Sequence, residues 1–445
     1  MRQRVRGQEP LVPVFVEHVH AEELAAIGRV LDACPELERL VQHDLLRGGV
    51  AANRGRPGMT AAQVLRIVVL KQMRALSYDA LAFHLSDSQS YRAFCRLGIL
   101  GASVKKSTLQ ENVSRISPRT WEQLNAVLVA YAKQSGVETG EKTRVDCTAV
   151  ETNVHAPTDS SLLMDTVRVL SGLIRRAADL VDVQWSNHRR RAKRRAIAIL
   201  RASSADQRRP LYIDLLKVTE MTIEYAEATI AALKKDGSDS ARGFALNLER
   251  IVALGKRVID QTHRRVVLGE SVPAAQKVTS IAEPHTDIIV KSRDEVIYGH
   301  KVCLNVGASG VVVDCVVHEG NPADVTLTVP IMKRHAEAFG APPKQVVFDG
   351  AFASRANLAA IKDLGAEDVV FTKSQGIRLH EMASSTFVFR ALRRFRAGVE
   401  GCISFLKRCF GLERCTWRGF PSFNAYVQAS VFSANVLLIA RHLLR

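Results

Sequence analysis

The alternating segment TRVDCTAV sets Val145, Cys147 and Ala149 on one face of a strand and Asp146 and Thr148 on the other. No further strand-like run follows until near residue 286. Between them, from SLLMDTVRVLSGLIRRAADL to LNLERIVALGKRVIDQ, lie about 110 residues with helical periodicity throughout. The chain must therefore close a sheet around a long all-helical insertion, placed at 160–270 between the first and second strands. Strands resume as TDIIVKS, GHKVCLNVG and VVVDCVVHEG, the last two separated by the turn signal Gly307-Ala308-Ser309-Gly310. A helix with Asn321 or Asp324 as its cap, a strand KQVVFDG ending in Asp349, a helix closed by Gly365, a strand EDVVFTK and a final helix carrying Glu400 complete the order. That order predicts a mixed five-stranded sheet with flanking helices over 141–445.

With 445 residues, 47% of them hydrophobic, the chain exceeds a single core and supplies material for two or three packed units. The net charge of +17 favours a polyanionic partner, nucleic acid before an anionic membrane, through release of counterions from phosphates. No apolar run approaches the roughly 20 residues of a membrane span, and MRQRVRGQEP leads into no apolar stretch. A cytoplasmic protein without a membrane partner is expected. The eight cysteines include no C-x-x-C pair. They read as reduced, mostly buried thiols, with Cys147, Cys303 and Cys315 inside strands.

Residues 1–140 read as an all-α unit. Within it, SYDALAFHLSDSQSYRAFCRLG and SVKKSTLQENVSRIS resemble a helix-turn-helix arrangement. Ser107 or Thr108 would be the N-cap, Lys105 and Lys106 would contact DNA, and Gln110, Asn112 and Arg115 would be exposed on a reading helix. An ordinary helical bundle fits the same pattern. Arg54-Gly55-Arg56-Pro57 has the extended, basic character of an arm for an A·T-rich minor groove, or of a linker. In the insertion, Arg189, Arg190, Arg191, Lys193, Arg194 and Arg195 form the densest positive run, either a phosphate-contacting face or a solvated one.

In FRAGVEGCISFLKRCF, Arg396, Glu400 and Lys407 fall within about 40° of one another on a helix, beside a packing stripe of Val399, Ile403, Leu406 and Phe410. If the strands carrying Asp146 and Asp349 are neighbours, their carboxylates approach, and the last helix delivers Glu400. Three such groups repel and need cations. Mg²⁺ suits oxygen donors, and a pair of ions about 3.5–4 Å apart stabilises both oxygens of an in-line phosphodiester displacement. Arg396 and Lys407 would then hold phosphates.

On these residues the chain resembles the bacterial insertion-sequence transposases of the DDE class, whose catalytic domain has a ribonuclease H-like fold. Their triad falls on Asp146, Asp349 and Glu400, and their Tyr-x2-Arg-x3-Glu-x6-Lys signature matches Arg396, Glu400 and Lys407, with Arg393 in place of the tyrosine. Asp349-Gly350-Ala351-Phe352 is similar to a second family signature, with its glycine differently spaced. The resemblance implies two Mg²⁺ ions, or Mn²⁺, on the triad, with Arg393, Arg396 and Lys407 against DNA. It also implies hydrolytic nicking at inverted-repeat ends, attack of the freed 3′-hydroxyl on target DNA, and a homodimeric synaptic complex. A catalytically inactive DNA-binding protein and a ribonuclease H-like nuclease or resolvase are the alternatives. Asp314, Glu413, His300 and Lys301 rank below the triad as site residues. Trp417, Arg418 and Phe420 follow the signature helix, where Trp417 serves a core or stacks on a base.

Overall fold

The computed structural model describes residues 17–47, 58–98, 103–291, 295–373 and 375–444. Arg54 and Arg56 lie outside them. By internal contacts the chain forms two compact units, one of 1–151 with 300–445 and one of 152–299.

Among the described residues of the first unit, seven helices precede the sheet: α1 (Val19–Ala33), α2 (Pro35–Leu45), α3 (Ala61–Met73), α4 (Tyr78–Asp87), α5 (Gln89–Phe94), α6 (Lys106–Ser114) and α7 (Pro118–Gln134). Capping chemistry fixes several starts. Thr60 and Gln63 satisfy each other's backbone donors at the head of α3, and Ser77, Ser88 and Ser117 cap α4, α5 and α7. The N-cap of α6 is Lys105 rather than Ser107 or Thr108, and it makes no side-chain capping bond. Asn112, expected on an exposed face, is buried and donates to the Thr108 carbonyl at 2.7 Å.

The strands are β1 (Lys142–Glu151), then, beyond the helices of the second unit, β2 (Asp287–Val290), β3 (Val296–Gly307), β4 (Val312–His318), β5 (Gln345–Phe348) and β6 (Asp368–Phe371). Among the described residues six strands pair in the order β2-β3-β1-β5-β6 with β4 also paired to β3, one more than the expected five, and each corresponds to one of the six strand-like runs of the sequence. β3 is long enough to serve two partners. Its residues 296–299 pair antiparallel with β2, and 301–306 pair antiparallel with β4. β1, β5 and β6 run parallel.

Parallel pairing requires crossovers, supplied by α12 (Asp324–Phe339) before β5 and α13 (Arg355–Asp363) between β5 and β6. The N-cap of α12 is Ala323; Asp324 is its first residue and Asn321 adopts positive φ just outside. After β6 come α14 (Leu379–Met382), α15 (Thr386–Phe410) and α16 (Phe420–Leu443). The helix carrying Glu400 is α15, so it is not the last one.

α15 packs on β1, β5 and β6. Its Leu392 joins Val145, Val347 and Val370 in one buried cluster, while Val399, Leu406 and Phe410 enter another. Gly398 allows a close approach to β1. A side chain there would strike the Arg144 guanidinium, which donates to the Phe395 carbonyl at 3.0 Å and stacks 4.5 Å from the Phe395 ring.

α16 is long and apolar enough to span a membrane, yet 89% of its apolar window is buried inside the protein. Its residues share a core with α1, α3, α7, β3 and β4. Buried amides fix the orientation. Asn435 pairs with both backbone groups of Val312 at 2.8 and 2.9 Å, and Gln72 donates to Ser430 at 2.9 Å. Each such bond contributes about 1 kcal/mol net, and far more is lost if one partner is left buried and unpaired.

The second unit holds α8 (Asp159–Ala177), α9 (Arg189–Arg201), α10 (Ala205–Asp236) and α11 (Asp239–Thr262), followed by a short π-helical turn. These helices enclose their own apolar cluster around Leu163, Leu170, Leu215, Ile223 and Val258.

Candidate active site

The β1–β5 register does the first part of the assembly. Val145 pairs with Phe348, and the next residues along the two parallel strands are Asp146 and Asp349. α15, lying across these strands, brings up the third carboxylate. All three meet one guanidinium. Arg396 donates through Nη2 to Asp146 Oδ2 at 2.8 Å and through Nη1 to Glu400 Oε1 at 2.5 Å, and Nη2 stands 3.8 Å from Asp349 Oδ1.

The three acids sit in different surroundings. Asp146 is largely buried, and burial pushes its carboxyl up to about 6 against the opposing pull of Arg396 and of the Cys147 N–H that one oxygen accepts at 2.9 Å. Burial also acts to raise Asp349. Hydrogen bonds from the Thr372 hydroxyl, at 2.8 Å, and the Gly350 N–H, with the Arg396 and Lys373 charges, outweigh it and leave Asp349 below the ordinary range. Glu400 is mainly solvent-facing. A pair of neighbouring carboxylates with opposite shifts marks a candidate site of charge chemistry.

An all-oxygen donor set converging on a single cation has the chemistry that Mg²⁺ or Mn²⁺ requires. Among the described residues no three His, Cys, Asp or Glu side chains are grouped to hold a metal ion, and the cation these carboxylates enclose is the Arg396 guanidinium. Its Nε–H is buried with no hydrogen-bond partner among the described residues.

The other expected site residues fall in several places. Lys407, on the Arg396 stripe, pairs with Glu413 at 3.4 Å rather than with Glu400. Arg393 is exposed, its guanidinium 5.8 Å from the Phe389 ring. Lys105 is exposed, and Lys106 reaches Asp79 at 3.8 Å. On α9, Arg191 and Arg195 both bind Asp214, whereas Arg189, Arg190, Lys193 and Arg194 remain exposed. Asp314 is held by a two-pronged contact from Arg334, and buried His300 lies edge-on to Phe420 and Phe423. Lys301 binds Asp324 at 2.7 Å. Trp417 packs against the α16 core, edge-on to Tyr426.

Cys147 and Cys303, expected as thiols, are joined in a disulfide, because adjacent β1 and β3 place their Cα atoms 4.2 Å apart. Cys315 is free and buried as expected.

Sequence inspection passed over Lys71. The signal was present in AAQVLRIVVLKQM, a helix apolar on nearly every side, and every residue from Val64 to Gln72 is buried.

Asp146 within β1 and Asp349 just past the parallel strand β5 are thus met by Glu400 from the crossing helix α15. Two family models match parts of the chain. Residues 284–436, which include Asp349 and Glu400, match the model of the transposase DDE domain, and residues 16–115 match a transposase domain (DUF772). The chain belongs to the insertion-sequence transposases of the DDE class. No curated protein and no solved structure matches it.

Proposed function

We propose that this transposase binds the inverted-repeat ends of its element and both cleaves and joins DNA strands at Asp146, Asp349 and Glu400. The observation that carries the reading is the convergence of these three carboxylates, from two strands and a helix, on Arg396. In this reading the sheet and α15 form a ribonuclease H-like core. Asp146 and Asp349 would hold two Mg²⁺ or Mn²⁺ ions with Glu400. When bound, the ions supply Lewis-acid stabilisation to the attacking and leaving oxygens of the phosphodiester.

The chain's own residues set the stage for this. The shared strand register fixes the separation of Asp146 and Asp349, Thr372 orients Asp349, and the Cys147 N–H orients Asp146. Arg396 lies nearest the carboxylates and would bind a phosphate oxygen, with Lys407 and Arg393 farther along α15. The N-terminal helices, including Lys105 and Lys106, and the α9 cations would bind DNA backbone. Two copies of the chain would hold two ends together.

The test is cleavage of a duplex carrying the flanking inverted repeat, with Mg²⁺ or EDTA, by the wild type and Glu400→Gln. Metal-dependent 3′-hydroxyl ends absent from the variant are expected; equal cleavage by the variant overturns the assignment. Joining of the released ends to a second duplex separates a transposase from a nuclease or resolvase. Binding without cleavage under each metal would favour a non-catalytic DNA-binding role.

A further inference from the structure

A cavity of about 950 Å³ opens in the first unit among α3, α4, α6 and the start of α16. Its wall carries five cations, Arg47, Lys71, Lys106, Arg115 and Arg418, against one carboxylate, Asp79. Three of these cations have partners: Arg47 with Asp44, Arg115 with Glu111 and Lys106 with Asp79. Lys71 and Arg418 form no ion pair among the described residues. Arg418 is exposed, but Lys71 is only 5% exposed, with Nζ 4.9 Å from the centre of the Tyr78 ring. Burial pushes its ammonium down to about 8. An ammonium buried without a counter-ion costs free energy, so its retention in a helix whose other buried cation, Arg66, is paired with Asp32 calls for an anion. Trp417 also lines this wall.

We propose that this cavity binds the phosphate group of a nucleotide, free or within a nucleic acid strand, with Lys71 as the buried cation and Arg418 at the mouth. Lysine and arginine only donate hydrogen bonds, and a phosphate offers several acceptor oxygens and up to two charges. A bare phosphate fills a small part of the volume. The remaining wall includes Tyr78, Leu76, Pro421 and the Trp417 ring, surfaces suited to a sugar and a base. The site uses none of the three carboxylates, so it stands or falls independently of the cleavage chemistry.

Calorimetric titration of the full chain, at salt high enough to screen exposed cations, tests this with four probes: inorganic phosphate, a deoxynucleoside monophosphate, the matching nucleoside and a short single-stranded oligonucleotide. Binding of a phosphate-bearing probe is expected, with the nucleoside inert. Lys71→Met should weaken it about tenfold or more, the worth of one charge-assisted hydrogen bond. Arg418→Ala should weaken it less, and Asp146→Asn should leave it unchanged. Tight binding of the monophosphate marks a free nucleotide as ligand; binding of the oligonucleotide alone marks a strand. Nucleoside binding equal to that of the monophosphate, unaltered binding by folded Lys71→Met and Arg418→Ala variants, or no binding of any probe to the wild type overturns the proposal.

Discussion

The acidic site and the basic cavity both gather like charges in the first unit, and they resolve the repulsion in opposite ways. At the acidic site the protein supplies its own counter-ion, Arg396, in contact with all three carboxylates. At the cavity, Lys71 lies buried with no carboxylate paired to it among the described residues. One guanidinium offsets part of the charge of three acids at the first site, and at the second the buried ammonium has no such partner among the described residues. Partial internal compensation lowers the repulsion within the set of acids, whereas an uncompensated cation stays available to an anion from solution. Each state has a measurable consequence.

The largest effect should follow from breaking the acid set. Asp146→Asn or Asp349→Asn should reduce DNA cleavage on the order of 10³-fold or more while DNA binding persists, read from single-turnover cleavage beside a gel-shift titration. Retained cleavage in both variants would remove these residues from the chemistry.

Lys71 gives the next effect, with the opposite sign for stability. Its folded-state pKa lies below the ordinary 10.5, at about 8, so between these values the unfolded chain binds more protons and stability rises with pH. The penalty is fully present below pH 8. Lys71→Met should therefore stabilise the ligand-free protein by up to about 3 kcal/mol at pH 7, and by progressively less towards pH 10. Denaturant titrations at the two pH values would show it. An equal change at both would mean that the ammonium is not desolvated.

Removing the internal counter-ion should cost less. Arg396→Ala leaves Asp146 partly buried beside two other acids, and should destabilise the metal-free protein by about 2 kcal/mol. The Asp146 carboxyl, already raised to about 6, should titrate still higher. A raised carboxyl contributes stability below its ordinary range and loses it as pH rises through the folded value. The deficit of the variant should accordingly grow above pH 6 in thermal melts, and a flat difference would deny the coupling.

The smallest effect concerns α9, whose charge density greatly exceeds that of α15 and four of whose cations are exposed. Replacing Arg189, Arg190 and Arg194 with alanine should lower DNA affinity alike for all sequences and flatten the dependence of log K on log salt by about 2 to 3. An unchanged slope would make this helix a solvated face only.

Much of the local structure was legible. β1 and β5 were readable from alternation and from a short apolar run, the helices of 160–270 from periodicity, and the Arg396–Glu400 pair from a four-residue spacing. Lys407 shared the same helical stripe and yet turned to Glu413, because helical angle sets a direction and the chain after Phe410 decides what stands there. Asn112 looked exposed on the same kind of argument and is buried, since a nine-residue helix among several others has more than one covered face.

By itself the sequence determined element types and which residues could be charged, because backbone sterics and solvent transfer act within a few residues. Only the tertiary structure decided that Asp146 and Asp349 are neighbours, that one arginine meets three acids, that Cys147 faces Cys303, and that Lys71 is buried without a counter-ion among the described residues. These facts join residues as many as 250 positions apart in the chain, as Asp146 and Arg396 are. Their separation in space is set by strand order and helix packing, for which local patterns carry no term.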